Sequence, residues 1–553
     1  MKYKVFDIEA RDWNKVYAIG IYDGANVKTF YGYDYSVKDF VKWLFDNLSD
    51  GDVVYAHNGG KYDFLFLIEG INKYKLGKIL DIKIIHGGIV SLLVEYKKKK
   101  LLFKDTFFIL PASLKSLTED YNVKHKKLEL NYELGLNDKR FFDYFANDLM
   151  GLYEVISEVP ELTAKDTIAS NSMKAFSDIY VKKYGKMVAN NYKKDNFFRY
   201  GYYGGRVEVF KLFGRNLYYY DFNSLYPYVM QKYSYPLLIP DNFEYSNDFN
   251  ELGYYYCKIK SPNNLLIPVL PYRREDGRLL FPLGEWKGYY YTPELQKAKE
   301  MGYEISVIKG VRFIKTAPIF KEFVEHYYKI KKQSAGSKRW VAKIFLNSLY
   351  GKFGQHREYT DYSLVKINSL KEGELRKFVN GDYALNSKTK YVVNGFMHTE
   401  VAGLITSYAR LELYKMMQKA GFENVYYADT DSIITSKELP VGEELGEVKL
   451  EHFVNEYIGL SAKLYAIREG DKVIIKAKGY NVKNLSFNSF VNALHGNYSE
   501  FKSEINRLIH IKEFYIHHKS SYIDKITIKH NFKKIYDKRI VNTDGTTLPI
   551  LLN

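Results

Sequence analysis

The chain has 553 residues, enough for about three to four domains of ordinary size. Charged residues make up 27% and hydrophobic residues 46%, which excludes a largely disordered chain, and the single cysteine, Cys257, excludes a disulfide framework and a cysteine-rich zinc site. The net charge is +17 and aromatic residues reach 17%, a combination that is compatible with a nucleic-acid partner without requiring one.

Neither a membrane span nor a secretory signal is expected. No apolar run approaches the roughly 18 residues that a membrane-spanning helix needs. The N-terminal segment MKYKVFDIEA contains two acids and no long apolar core. We therefore expect a soluble intracellular protein.

Strand-like and helical segments alternate up to about residue 165 and predict an α/β unit. Residues 1–32 are predicted to form a hairpin or small sheet, residues 37–48 a helix, and residues 53–58 a strand that ends in a glycine turn. The lysine run 97–100 lies between two β-rich segments, so we interpret it as an exposed hairpin turn.

Four acids of this unit are spaced so that they can meet. Asp7 and Glu9 are two apart on a strand and face the same way, and Asp63 follows the glycine turn. Tyr144 and Asp148 are spaced i, i+4 and share a helix face, although packing is the commoner role of such a tyrosine. Together these residues are a candidate two-metal site that holds a scissile phosphate and generates hydroxide.

The segments that follow include a strand, an insertion and a basic helix. Asp221 ends an aromatic strand just before a predicted helix, a position that suits either a helix cap or a metal beside a triphosphate. Residues 231–318 hold eight of the 13 prolines and are predicted to be an irregular, mainly β insertion. Residues 319–353 are predicted to be helical, residues 355–398 polar and turn-rich, and residues 403–420 helical.

The predicted helix before residue 354 carries a row of cations. Arg339, Lys343 and Asn347 recur every four residues on one face, and Lys331 lies two turns upstream near the same stripe. Such a row can clamp a triphosphate, and Asn347 and Tyr350 can meet a base pair. A solvated basic face is the common alternative, but it does not explain the Asn-Ser-Leu-Tyr-Gly ending.

Two further acids lie in a predicted hairpin at residues 424–435, with its tight turn around Thr430-Asp431. Asp429 and Asp431 are two apart, and on an extended chain both face the same way. A polar turn is the alternative. Together with Asp221 they indicate an all-oxygen site, which favours Mg²⁺ over zinc.

These segments resemble the motifs of family B DNA polymerases. DFNSLYP (221–227), KIFLNSLYG (343–351) and YADTDS (427–432) are similar to polymerase motifs A, B and C. FDIE, HNGGKYD and YFAND are similar to the three motifs of the 3′–5′ proofreading exonuclease. YYGG (202–205), TSYAR (406–410) and KLY (463–465), together with the two long insertions, resemble the protein-primed, phi-twenty-nine-like branch of small phages and linear plasmids.

The resemblance implies an α/β and α+β multidomain fold, with an RNase H-like 3′–5′ exonuclease domain followed by a right-hand polymerase domain with two insertions. The implied boundaries are 1–165 for the exonuclease, 166–230 and 399–485 for the palm, 231–318 for an insertion contacting terminal protein and DNA, 319–354 for the fingers, 355–398 for a DNA-encircling insertion that supports strand displacement, and 486–553 for the thumb.

The resemblance also implies residue roles. Asp221 and Asp431 would ligate the polymerase metals with Asp429 in support, and Tyr226 would exclude a ribose 2′-OH. Nucleotide and base-pair contacts would come from Lys331, Arg339, Lys343, Asn347 and Tyr350. The exonuclease would use Asp7, Glu9, Asp63 and Asp148 as metal ligands, Tyr144 to position water and Lys127 as its catalytic-site lysine. DNA contacts would come from Asn58, Tyr202, Gly204, Gly205, Ser348, Gly351, Thr406, Arg410, Lys463 and Tyr465.

The implied activity is DNA-directed DNA synthesis with 3′–5′ proofreading on a phage or linear-plasmid genome, initiated on a terminal-protein hydroxyl, with processive strand displacement. Two Mg²⁺ ions, or Mn²⁺ instead, would serve each site of a monomer. The expected partners are dNTPs, primer-template, single-stranded DNA and terminal protein, in a host cytoplasm or a mitochondrion. Ala10, where the family often has Thr, indicates a weaker grip on a frayed strand. The alternatives are a conventional polymerase extending DNA or RNA primers and an inactive scaffold that binds DNA ends.

Overall fold

The computed structural model describes residues 3–11, 15–32, 36–85, 88–128, 139–355, 358–366, 376–380, 383–391, 396–480, 482–497, 499–508, 523–532 and 536–552. Within these ranges, none of the helices combines the length and apolar character required to cross a bilayer. The N-terminal unit contains β1 (Tyr3–Arg11), β2 (Lys15–Tyr22), β3 (Val27–Tyr31), α1 (Ser36–Asn47), β4 (Val53–Ala56), α2 (Asp63–Tyr74), β5 (Lys78–Ile85), β6 (Gly88–Tyr96), β7 (Lys99–Asp105), α3 (Leu114–Asp120) and α4 (Lys139–Glu158).

The remainder of the chain supplies the other elements. The segment up to residue 317 contains α5 (Ile168–Tyr184), α6 (Tyr192–Arg199), β8 (Val207–Val209), β9 (Phe213–Phe222), α7 (Leu225–Lys232), β10 (Tyr235–Pro236), β11 (Phe243–Tyr245), β12 (Gly253–Lys260), β13 (Tyr272–Arg273), β14 (Leu279–Leu280), β15 (Leu283–Tyr291), α8 (Thr292–Glu300), β16 (Glu304–Phe313) and β17 (Thr316–Ala317). The last part contains α9 (Lys321–Gln333), α10 (Gly336–Phe353), β18 (Glu358–Lys366), β19 (Arg376–Asn380), β20 (Tyr383–Tyr391), α11 (Thr399–Ala420), β21 (Val425–Asp429), β22 (Ser432–Thr435), β23 (Val448–Ser461), β24 (Leu464–Glu469), β25 (Lys472–Ala477), α12 (Phe487–Leu494), β26 (Ser499–Leu508), β27 (Ile523–Phe532), β28 (Arg539–Val541), β29 (Thr547–Pro549) and β30 (Leu551–Leu552).

A ten-stranded mixed sheet, in the order β19-β20-β18-β5-β6-β7-β4-β1-β2-β3, organises the N-terminal unit. Strands β1, β4 and β7 run parallel to one another, whereas the other pairs are antiparallel. Phe6, Phe64 and Phe103 pack together on one side of the sheet, with rings 5.8–6.3 Å apart. Helix α4 packs across β1 and β2, which brings its polar side chains to the acids of β1.

The segment predicted to be turn-rich, residues 355–398, contains three strands instead. β18 pairs with β20 along nine residues and extends the N-terminal sheet through the pairing of Tyr362 with Ile82 of β5. The strands were not predicted because the sequence of this segment is polar. Strand pairing depends on backbone hydrogen bonds, which do not require apolar side chains.

A seven-stranded antiparallel sheet, in the order β25-β24-β23-β9-β22-β21-β8, lies at the centre of the second half. The predicted hairpin is present as β21 and β22, and β22 pairs with β9, opposite Asp221. Helix α11, predicted over 403–420, begins four residues earlier and is buried along most of its length. The large apolar core that contains α11 also includes α5, α7, α10 and the N-terminal helix α4.

The proline-rich insertion forms a sheet of its own, in the order β11-β16-β12-β15-β30, with α8 packed on it. The chain terminus supplies β30, which runs parallel to β15. Gly284 has a φ of +97°, and a Cβ there would lie 1.8 Å from the Leu552 carbonyl oxygen. Residues 486–553, predicted to be one thumb unit, are therefore divided, since their last strand belongs to the insertion sheet.

Candidate functional site

The N-terminal unit brings its predicted acids together. Asp7 and Glu9 on β1 and Asp148 on α4 each place a carboxylate oxygen within 4.8 Å of the other two. Asp63, the first residue of α2, accepts a hydrogen bond at 2.9 Å from the backbone N–H of Ile8. All four carboxylates therefore converge around the middle of β1.

Crowding and burial perturb these acids strongly. Burial, and then the charge of Asp148, raises the pKa of Asp7 to about 7. Burial, and then the charge of Asp7, raises the pKa of Glu9 to about 8, and burial is also the main cause of the raised pKa values of Asp63 and Asp148. The Oδ1 atom of Asp148 is buried and has no hydrogen-bond partner. An all-oxygen set with an unpartnered buried acceptor fits divalent metal ions, because a cation relieves the mutual repulsion.

Two further predicted residues border this acidic cluster. Lys127 Nζ pairs with Asp148 and donates to the Tyr144 hydroxyl at 3.1 Å. The Tyr144 hydroxyl also hydrogen-bonds Glu9. Burial and the charge of Glu9 raise the pKa of Tyr144, so its phenol stays protonated. Tyr144 and Lys127 can thus donate hydrogen bonds next to the acids.

Asp105, which the sequence analysis missed, supports the loop that precedes Asp63. Its buried carboxylate accepts hydrogen bonds from the backbone N–H groups of Gly60 and Phe107, at 3.1 and 2.8 Å. Burial raises its pKa to about 6. Asn58 starts this loop in a left-handed conformation with an exposed side chain. An acid at the end of a buried strand, as in KDTF, was the available signal.

A second group of acids, Asp221 and Asp431, lies at the central sheet. Asp221 on β9 lies opposite Ser432 of β22, and the Phe222 N–H donates to the Asp431 carbonyl at 2.8 Å. Burial, and then the charge of Asp431, raises the pKa of Asp221 to about 7. Burial, and then the charge of Asp429, raises the pKa of Asp431. These acids also fit an oxygen-ligated metal site.

The predicted tight turn around Thr430-Asp431 is present, so the chain between Asp429 and Asp431 is not extended and strand alternation does not relate their side chains. Thr430 between them has a φ of +59°, so the chain turns there. The Asp429 carboxylate accepts hydrogen bonds from Lys463 Nζ at 2.8 and 3.1 Å, from Thr430 Oγ1 at 3.0 Å and from the Tyr427 hydroxyl at 3.2 Å. The charge of Asp429 is therefore paired with that of Lys463.

The predicted cations lie on two helices rather than one, and Lys331 and Lys343 are both close enough to Asp221 to interact with its charge. Lys331 lies on α9, which ends at Gln333, whereas Arg339 and Lys343 are exposed on α10. Lys331 Nζ donates to Ser224 Oγ at 2.8 Å. Burial, and then the charges of Lys343 and Arg339, lowers the pKa of Lys331 to about 8. Such like-charge crowding fits a polyanionic ligand.

Aromatic and polar residues of α7 and α10 border the same acids. The rings of Tyr226 and Tyr350 stack with centroids 4.3 Å apart. Asn347 is half-buried, and Ser348 Oγ donates to the Phe345 carbonyl at 3.1 Å within the helix. A Cβ on Gly351 would meet no atom within 4 Å, so this helix face is open.

Several predicted DNA contacts are buried supports instead. Arg410 donates hydrogen bonds to both carboxylate oxygens of Glu294, at 2.9 and 3.0 Å. It also donates to the carbonyl oxygens of Tyr203 and Gly204, at 2.8 and 2.9 Å. Thr406 donates to the Gly403 carbonyl within α11, at 3.0 Å. Arg410 therefore holds the loop at residues 202–205, whereas Thr406 is hydrogen-bonded within its own helix.

The loop at residues 202–205 reaches the turn of the central hairpin. A Cβ on Gly205 would lie 2.9 Å from Thr430 Cγ2, and the Arg206 carbonyl accepts from the Thr430 N–H at 2.7 Å. Tyr202 packs against Gly354 at the end of α10. Tyr465 is buried with its hydroxyl 3.1 Å from that of Tyr219, so it too supports the sheet.

Comparison with known proteins gives a consistent picture. A family model described as DNA polymerase type B, organellar and viral, matches residues 48–141 and 138–433. A probable DNA polymerase of Neurospora intermedia is 28% identical over 84% of this chain, which spans 57% of that protein. The DNA-directed DNA polymerase of Enterobacteria phage PRD1 is 29% identical over 87% of this chain and 86% of its own length. The solved structure of phi29 DNA polymerase with primer-template DNA and incoming nucleotide has a TM-score of 0.75 to this chain. The match covers 96% of this chain and all of that chain, and at 21% identity it shows a similarity of fold.

Proposed function

The chain belongs to the organellar and viral type B DNA polymerases, and we propose that it is a DNA-directed DNA polymerase with a separate 3′–5′ proofreading exonuclease. The observation that carries this proposal is the Asp221–Asp431 pair, whose charges interact with Lys331 of α9 and Lys343 of α10. Paired acids next to a cationic cradle are what transfer of a nucleotide from a triphosphate requires.

At the polymerase site, Asp221 and Asp431 would hold Mg²⁺, or Mn²⁺ in its place. These ions supply charge neutralisation for the attacking and leaving oxygens of the reaction. Lys331, Arg339 and Lys343 bind the triphosphate and orient its α-phosphate toward the primer hydroxyl. Tyr226, held flat against Tyr350, is a rigid wall where a ribose 2′-OH would clash.

At the exonuclease site, the carboxylates of Asp7, Glu9, Asp63 and Asp148 would hold two metal ions. Tyr144, protonated at neutral pH, orients a water molecule through its hydroxyl. Lys127 adds a positive charge that stabilises the scissile phosphate. Asn58, exposed at the start of its loop, contacts the single strand.

We further propose that the polymerase initiates on a terminal-protein hydroxyl and displaces strands as it proceeds. The sheet of residues 231–318 is the proposed terminal-protein contact, and the strands within 355–398 are the proposed DNA-encircling element. The named phage relatives and the phi29 fold support this assignment. The genome is that of a phage or a linear plasmid, and the enzyme acts as a monomer in the host cytoplasm or a mitochondrion.

Extension of a primed single-stranded DNA circle, with this protein, Mg²⁺ and dNTPs alone, tests the proposal. Products many times longer than the circle are expected, because a strand-displacing polymerase passes its own start point. Products of one circle length would retain DNA synthesis but favour the conventional polymerase. Absence of any extension by the folded protein would contradict the polymerase assignment.

A further inference from the structure

Helix α10, which carries two of the triphosphate cations, is capped by a residue of another domain. Ala335, which precedes the helix, offers no side-chain acceptor to the first turn. Asp120, the last residue of α3 in the N-terminal unit, accepts a hydrogen bond from the Ser337 backbone N–H instead. The first amides of a helix are ordinarily capped by the residue that immediately precedes the helix. Here the acceptor comes from a residue more than two hundred positions earlier.

The fit around this cap is tight. Gly336 has a φ of +51°, and a Cβ there would lie 2.1 Å from Asp120 Oδ1. Position 336 therefore requires glycine for both its conformation and its closeness to Asp120. A negative charge at a helix N-terminus is also stabilised by the helix dipole.

Three further contacts hold the same turn of α10 to the N-terminal unit. Ser337 Oγ donates to the Ser116 carbonyl at 3.3 Å. Trp340, nearly half exposed, donates from its indole N–H to the Pro111 carbonyl at 3.2 Å. Lys338 Nζ lies 5.5 Å from the centre of the Tyr121 ring. The start of α10 is thus anchored on the domain of the proposed exonuclease, whereas its last turns pack against Tyr226 of α7 and Tyr202.

We propose that Asp120 is a positioning residue for nucleotide binding, acting through α10 on Arg339 and Lys343. This inference rests on the proposed polymerase function. Arg339 closes the first helical turn with an N–H bond to the Ala335 carbonyl at 3.0 Å, and Lys343 follows one turn later. Loss of the cap frees that turn, so both cations must be ordered anew when a triphosphate binds. The exonuclease domain thereby contributes to the affinity of the polymerase site.

The test compares three variants in steady-state primer extension with one dNTP varied. Asp120→Ala removes the acceptor, Asp120→Asn retains it, and Glu119→Ala removes the adjacent exposed acid of α3 as a matched control. From the usual strength of a helix cap, Asp120→Ala should raise KM for dNTP about threefold to tenfold with kcat within about twofold. Asp120→Asn should stay within about twofold of wild type, and Glu119→Ala should be unchanged.

Hydrogen exchange at the amides of residues 337–339 provides a readout that does not depend on activity. Faster exchange in Asp120→Ala, but not in Glu119→Ala, is expected. An unchanged KM or unchanged exchange in folded Asp120→Ala overturns the inference, as does an equal loss of kcat and exonuclease activity. Gly336→Ala, which pushes on the same carboxylate, should reproduce the rise in KM. If wild type itself extends no primer, the proposed function fails, and the exchange result alone decides whether Asp120 caps α10.

Discussion

At the scale of single residues, the three acids of the central sheet are not equivalent. Asp221 and Asp431 have raised pKa values, whereas Asp429 is paired with Lys463. This division follows from Thr430, whose positive φ turns the chain between the two acids of the hairpin. The turn was predicted, but a β-branched residue seldom adopts a positive φ, so the direction of each carboxylate could not be predicted. The sequence therefore grouped the three acids in one candidate site but did not predict the pairing of Asp429 with Lys463.

Removal of Lys463 should expose the charge of Asp429 to Asp431. Lys463 lowers the pKa of Asp431 and Asp429 raises it, so Lys463→Ala should raise that pKa further. If extension requires an ionised Asp431 carboxylate, acidification then inactivates the variant at a higher pH than wild type. The acid limb of its pH–rate profile therefore shifts to higher pH. Rates measured across pH check this shift. The double variant Lys463→Ala/Asp429→Asn removes both charges and should return the limb toward wild type, whereas a limb that stays shifted would contradict the pairing.

Replacement of Asp7 should stabilise the metal-free protein while abolishing the proposed exonuclease activity. An acid with a raised folded-state pKa binds more protons when folded, so the free energy of unfolding falls as pH rises between its ordinary and folded pKa values. For Asp7 and Glu9 that window runs from about pH 4 to about 8. Asp7→Asn should therefore melt at a higher temperature than wild type in chelator at pH 8, with little difference near pH 4. A lower melting temperature at pH 8 would show that the acids do not repel one another.

At the scale of elements, the sequence patterns predicted those helices and hairpins that are stabilised by interactions between residues close together in the chain. Helix α1 and the hairpin of β21 and β22 lie close to the expected positions because their periodicity and turn residues act within a few positions. The break between α9 and α10 was missed because the spacing of the cations continues through it. The pairing of β18 with β5 and of β30 with β15 was also invisible, since it depends on residues far away in the chain.

The loop between β4 and α2 contains Gly60 and is expected to position Asp63 of the proposed exonuclease site. A Cβ on Gly60 would lie 1.8 Å from the Ile89 carbonyl oxygen, so Gly60→Ala must displace the loop and its bond to Asp105. Because Asp63 follows directly, exonuclease activity should fall at least about tenfold. Primer extension by the same variant serves as its internal control and should remain near wild type. Retained exonuclease activity would mean that the loop does not position Asp63.

At the scale of the whole molecule, the last residues connect the insertion to the central sheet. Arg539, 2% exposed, donates to Thr547 Oγ1 and to the Leu266 carbonyl, both at 2.8 Å. Its Nη1 lies 3.5 Å from Glu208 Oε1 on β8. Glu208 also pairs with Arg206, whose carbonyl holds the Thr430 turn. The segment around Arg539 therefore supports the turn at Thr430 through a buried ionic group.

Truncation of Arg539 should be strongly destabilising. Arg539→Ala leaves buried acceptors and part of the Glu208 charge without a partner, a change that typically costs about 3–5 kcal/mol. Urea unfolding measures the loss. Arg215→Ala is the matched control, because Arg215 pairs with Glu456 at 3.3 Å on the exposed surface and should cost under about 1 kcal/mol. Equal effects of the two variants would contradict a stabilising role for the buried group.

We propose that the chain holds two separate catalytic centres, one at Asp221 and Asp431 and the other at Asp7, Glu9, Asp63 and Asp148. The most direct test follows one end-labelled primer-template with Asp431→Ala and with Asp7→Ala, in Mg²⁺ with dNTPs. Asp431→Ala should only shorten the primer, and Asp7→Ala should only lengthen it. Loss of both activities in either variant, with folding intact by circular dichroism, would contradict the claim.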